Sequence, residues 1–155
     1  IGLYASQQVF WKEQRVNLKY SYHNTSFAVE RPSVLGSNAL ERPLKDYNGQ
    51  TYWLSVNPYS FAKSTVFPKW LNIAFGYGGE GMLTGTAGEE HLHTPPLPKY
   101  NRYRQYYIAL DISTARIPTN NKTLKKIFFV LNFLKIPMPA IEFNKQNVHF
   151  YPIYM

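Results

Sequence analysis

At 155 residues the chain is sized for a single domain spanning 1–155 with a core of its own, which leaves no room for a second full domain. It has no cysteine, which excludes disulfides, zinc-thiolate sites and cysteine nucleophiles. Seventeen Lys and Arg against nine Asp and Glu give a net charge of +8, which favours anionic partners: nucleic acid, lipopolysaccharide or phospholipid headgroups, or an acidic protein.

Aromatic residues make up 17% of the chain, including 13 Tyr and 10 Phe, more than a small core needs. Tyr and Trp suit boundaries that are apolar on one side and wet on the other, as at interfaces and membrane surfaces. No run of about 18 apolar residues occurs, so no transmembrane helix is expected. The sequence opens on Ile1 rather than Met, and reads as a processed form or the C-terminal part of a longer chain.

Residues 1–15 read as the end of a helix, with Leu3, Ser6, Gln7 and Phe10 along one side. The period then changes to alternation. In "VNLKYSYH" Val16, Leu18, Tyr20 and Tyr22 take one face and Asn17, Lys19, Ser21 and His23 the other, the pattern of a half-buried strand. Residues 31–50 contain Pro32, Pro43 and an Asn-Gly turn signal and read as mostly loop, and "TYWLSVN" at 51–57 alternates again.

"LNIAFGYGGEGM" at 71–82 begins as a strand and ends as glycines. Leu71, Ile73, Phe75 and Tyr77 alternate with Asn72, Ala74, Gly76 and Gly78, so one face is bulky and the other nearly bare. The glycines lack the Lys-Ser/Thr of a P-loop, and a strand that bends or accepts a close neighbour is the expected reading. Residues 79–101 read as a long loop containing "GEEHLH". His91 and His93, with Glu89, offer metal-ligand spacing without a third ligand held from elsewhere, so no metal and no cofactor is expected.

"YYIALDIS" is a further strand, with Tyr106, Ile108, Leu110 and Ile112 opposite Tyr107, Ala109, Asp111 and Ser113. Asp111 is expected to pair with Arg104, Arg116 or another basic residue. No Ser-His-Asp or paired-carboxylate motif accompanies it. In "PKYNRYRQYY", Arg102 and Arg104 interleave with Tyr103 and other tyrosines. This composition suits a headgroup boundary or single-stranded nucleic acid, but no nucleic-acid-binding signature accompanies it and nucleic acid is not expected.

Residues 122–136 form an amphipathic helix pattern, with Leu124, Ile127, Phe128, Leu131 and Leu134 on one stripe and Lys122 and Lys125 on the other. Its apolar face suits docking on protein or lying in a membrane interface. The tail "NVHFYPIYM" has strand character, with Pro152 restricting it to a sheet edge.

The fold class expected is therefore α+β: antiparallel, membrane-type alternating strands with an amphipathic helix and a helix end at the N-terminus. The smallest closed outer-membrane barrels need about eight strands. Four or five are legible, so a complete closed barrel is not expected.

"WKEQRVNLKYSYH", "ERPLKDYNGQTYWLSVN", "FPKWLNIAFGYGGEGM", "RYRQYYIALDI" and "KKIFFVLNFLKIPMPAIEF" together resemble the C-terminal half of an uncharacterised Gram-negative envelope family of periplasmic lipoproteins of unknown function. The resemblance covers nearly the whole chain and implies no activity. Its longer relatives begin with a helical half that has no counterpart in this sequence.

Composition, pattern and resemblance together lead to one expectation. The chain is a non-enzymatic accessory subunit of an outer-membrane protein complex, at the outer membrane or its periplasmic face, contacting lipid, lipopolysaccharide or partner through Arg102, Tyr103, Arg104, Lys122, Lys125, Phe128 and Leu131. Two alternatives stand beside it. One is a lipid- or cell-wall-acting enzyme with its catalytic part upstream, and the other an anionic-lipid-binding module.

Overall fold

The computed structural model describes residues 2–63 and 66–154. Ile1, the residue from which a helix continuing upstream was expected, lies outside them. In chain order the elements are α1 (Gly2–Trp11), β1 (Val16–Tyr22), three four-residue helices α2 (Phe27–Glu30), α3 (Pro32–Leu35) and α4 (Arg42–Lys45), then β2 (Gln50–Val56) and α5 (Pro58–Ala62). There follow β3 (Leu71–Glu80), β4 (Tyr103–Ile112), α6 (Lys122–Leu131), β5 (Met138–Asn144) and β6 (Val148–Tyr154). The molecule is α+β, and its six strands form one antiparallel sheet in the order β1-β2-β3-β4-β5-β6, not closed into a barrel.

Local chemistry explains the boundaries. Asn57 caps α5, its side chain accepting from the Ser60 N–H, and Pro58 fits the first turn where no N–H is needed. Asn121 caps α6 by accepting from Thr123 and Leu124. That helix stops at Leu131, short of the expected 136, because the next residues serve the sheet: Tyr20 donates to the Phe133 carbonyl at 2.8 Å and Lys135 donates to the Tyr20 carbonyl at 2.9 Å. Residues 133–135 thus lie parallel to β1 and cover its edge. No strand covers the outer edge of β6 among the described residues. None of the described helices is long and apolar enough to cross a membrane.

The sheet is strongly curled. Adjacent strands lie about 4.8 Å apart, so β2 and β6 would be roughly 19 Å apart if it were flat. Instead the Thr51 and Tyr154 hydroxyls are 3.0 Å apart, and Lys19 on β1 reaches Asp111 on β4 at 2.8 Å. The concave side is therefore filled by side chains. Trp53, Ala74, Tyr107, Ala109, Ala140 and Tyr154 form its apolar part. A second small core, Phe27, Ala28, Leu35 and Leu83, ties the 23–49 and 81–102 connections together over one end of the sheet.

Candidate functional site

The sheet's polarity is inverted relative to that of a water-soluble sheet. On β1 the buried residues are Asn17, Lys19 and Ser21, while Leu18 is exposed. On β2 they are Thr51, Trp53 and Ser55, with Tyr52 and Leu54 exposed. On β3 Asn72, Ala74, Gly76 and Gly78 face in, and Phe75 and Tyr77 face out; on β4 Gln105, Tyr107, Ala109 and Asp111 face in, and Tyr106, Ile108 and Leu110 out. The half-buried strand read at 16–22 is thus buried through its polar face.

Interior polarity is sustained largely by mutual satisfaction, the buried Tyr107 hydroxyl being an exception without a hydrogen-bond partner among the described residues. The Lys19 ammonium and Asp111 carboxylate pair at 2.8 Å with both side chains fully buried, and Lys19 also donates to the Ile112 carbonyl at 2.7 Å. Asp111 accepts from Ser55 at 2.6 Å, Ser55 accepts from Asn72 at 2.8 Å, and Asn72 accepts from Asn57 at 2.7 Å. A buried ion pair whose remaining lone pairs are occupied in this way avoids the cost of an uncompensated charge. Asp111 thus finds a basic partner, in Lys19 rather than in either arginine. Nearby, the Lys135 ammonium stands 4.7 Å from the Trp53 ring and donates to the Ile136 carbonyl. Burial pulls its pKa down to about 8, against the opposing pull of Asp111.

Strand register sorts the outward residues into tiers. One row runs Val16, Val56, Ile73 and Leu110. The next runs Leu18, Leu54, Phe75, Ile108, Ile141 and Phe150. The third is aromatic on five strands, Tyr20, Tyr52, Tyr77, Tyr106 and Phe143, and ends on Val148 of β6. Beyond it Arg104 stands opposite Gly79. Aliphatic, then tyrosine, then cation is the order that a surface meets on passing from acyl chains to headgroups. Along β3 the apolar tiers from Leu71 to Tyr77 rise about 20 Å. At the tilt of about 35–45° usual for membrane strands they cover about 15 Å of depth, half of the roughly 30 Å hydrocarbon core.

A cleft of about 890 Å³ opens at the tyrosine end of this face, with Tyr52, Tyr77, Tyr106 and Phe143 as one wall and Arg102, Arg104 and Lys145 at its basic side. Of the residues singled out in the sequence, Arg102, Tyr103 and Arg104 therefore meet at one place. Arg102 pairs with Glu90 at 3.0 Å and donates to the Thr84 carbonyl at 3.0 Å. Held by its own backbone N–H and by Arg102, the Glu90 carboxyl titrates at about 2. Tyr103 donates to Glu80 at 2.5 Å on the inward side.

Lys122, Lys125, Phe128 and Leu131 lie elsewhere, on α6 in the connection between β4 and β5 at the opposite end of the sheet. That helix buries no residue; Lys122, Lys125 and Leu131 are exposed, and Phe128 is half-buried with its carbonyl accepting from Thr114. His91 is exposed and Glu89 and His93 are half-buried; no group of three His, Cys, Asp or Glu converges among the described residues. Lys145 and the tyrosine row escape a sequence reading, because register between strands brings them together. Compared with known proteins, the chain matches no family model, no curated protein and no solved structure.

Proposed function

We propose that the protein is a non-enzymatic, outer-membrane-associated envelope subunit that seats the convex face of its sheet in lipid and serves a larger transport, secretion or assembly complex. The observation that supports this most is the inversion itself. In water, a face of aliphatic and aromatic residues exposed across six strands forfeits the burial free energy that drives folding, about 25 cal/mol per Å² of apolar surface. In lipid the same face is at home, and the packed polar interior is the usual lining of membrane β-structure.

Two features favour a subunit over a self-sufficient span. The apolar tiers cover about one leaflet rather than a bilayer. The outer edge of β6 carries no partner strand among the described residues, and an unpaired strand edge is not tolerated in hydrocarbon. A strand from a partner covers that edge in this reading. The resemblance of the sequence to envelope lipoproteins points the same way.

The test is flotation with vesicles, followed by mild-detergent recovery of the tagged chain from envelope fractions. The wild-type chain is expected to float, and Phe75→Asp with Ile108→Asp to stay behind while keeping its fold. Stoichiometric recovery with an outer-membrane component supports the subunit role. Recovery as a lone, water-soluble protein contradicts it.

A further inference from the structure

We propose that the cleft above the tyrosine row is a binding site for one phosphate-bearing membrane lipid. The acyl chains lie against Tyr77, Tyr106 and Phe143, and the phosphate sits between Arg104 and Lys145. The inference rests on the membrane-seated reading above and adds to it a specific ligand class.

Three observations converge on this site. First, no residue lining the cleft is acidic, while Arg102, Arg104 and Lys145 all border it. Arg102 is already neutralised by Glu90. The side chains of Arg104 and Lys145 have no hydrogen bond or ion pair among the described residues, and both are exposed, so two uncompensated cations face the cleft. Second, Gly79 places no side chain opposite Arg104, and a Cβ there would press within 3.1 Å of the Met82 methyl that lines the cleft. Third, the volume of about 890 Å³ is that of a site for a whole small molecule rather than for a lone anion.

The division of chemistry along the strands selects the ligand. A free phosphate would need cations but no aromatic wall. A neutral apolar ligand would need the wall but no cations. Here the wall is continuous with the apolar tiers below and the cations lie only above it, so the cleft fits an amphiphile whose charge is anionic and whose tails run down the sheet. Arg104 suits bidentate hydrogen bonding to phosphate oxygens, and Lys145 supplies a second, mobile charge. The tyrosines straddle the boundary between them.

The experiment titrates the full chain in mild detergent with three soluble probes: a short-chain phosphatidylglycerol, the matching phosphatidylcholine, and inorganic phosphate. Chemical shifts of Tyr77, Tyr106 and Phe143 report occupancy. The expected result is saturable one-to-one binding of phosphatidylglycerol, about tenfold or more tighter than phosphatidylcholine, with that preference lost in Arg104→Gln with Lys145→Gln. The pair Lys122→Gln with Lys125→Gln removes the same charge at the other end of the sheet and is expected to leave the preference intact.

Inorganic phosphate binding as tightly as the lipid overturns the lipid assignment in favour of a free anion. Equal affinity for the two lipids, or loss of preference in the Lys122 and Lys125 variant as well, overturns the site. Failure of the wild-type chain to float on vesicles while one-to-one binding persists would instead remove the membrane-seated reading and leave the site standing.

Discussion

The indole of Trp53 lies over Gly76 on the neighbouring strand, so close that a Cβ at position 76 would sit 2.7 Å from the ring. This is why position 76 on the inner face of β3 carries no side chain. The ring hydrogen-bonds to Ser21 at 2.9 Å, packs on Tyr107 and Tyr154, and receives the Lys135 ammonium on its face. The curled sheet closes around it.

Gly76→Ala is expected to destabilise the fold by about 1–3 kcal/mol, the usual cost of overpacking a filled interior. Gly85→Ala is its control, since nothing lies within 4 Å of a Cβ there. Urea midpoints of the two variants check the difference. Equal midpoints would show that the indole has room to move away.

Asp111→Ala strips the buried Lys19 of its counter-charge and is expected to cost about 3–5 kcal/mol. Lys19→Met combined with Asp111→Leu is expected to recover much of that loss, because no buried charge remains. A double-mutant cycle on chemical denaturation measures the coupling. Additive effects of the two sites would mean that the pair does not form.

Lys135 gives the interior a pH dependence whose sign can be worked out. Its ammonium titrates at about 8 in the folded chain against an ordinary 10.5, chiefly through burial, with Asp111 opposing and Lys19 adding to the shift. Between those values the unfolded chain binds more protons than the folded one, so this group makes stability climb from about pH 8 to about pH 10.5, by about 3 kcal/mol at most and by less to the extent that water screens the ammonium. Below pH 8 its contribution is flat and unfavourable. Lys135→Met is expected to flatten the climb. Denaturation midpoints across that range, compared between the two proteins, isolate Lys135 from tyrosine ionisation near the upper limit.

Much of the sheet is legible in the sequence. The alternation in 16–22, 51–57, 71–78 and 106–113 identifies β1 to β4, and Pro152 marks β6 as an edge. β5 is harder to read, since Pro137 and Pro139 flank its start and Glu142 interrupts its apolar pattern, although that carboxylate is buried and accepts from Tyr151 at 2.9 Å. The helices α2 to α4 are single turns held by the small core around Phe27 and Leu83, which local propensity does not reveal.

Which face of each strand turns inward is a different matter. A period of two separates the faces without saying what solvent each one meets. The clue was present in the composition of the second face: Asn, Lys, Ser, Thr, Gln, Gly and Ala fill it almost throughout, broken by Trp53, Tyr107 and Tyr154. The pairing of Lys19 with Asp111 and the tyrosine row are products of register and curl between residues far apart in the chain. No local pattern carries them.

Contact of the outward tiers with lipid is directly measurable, because these 155 residues contain no cysteine. Single cysteines at Phe75, Ile108 and Ile141, with Arg104 as the boundary position, would be nitroxide-labelled in the membrane-reconstituted chain and their relaxation compared with oxygen and with a water-soluble nickel complex. Oxygen access without nickel access is expected at the first three positions, and nickel access at Arg104. Nickel access equal at all four would contradict contact with lipid.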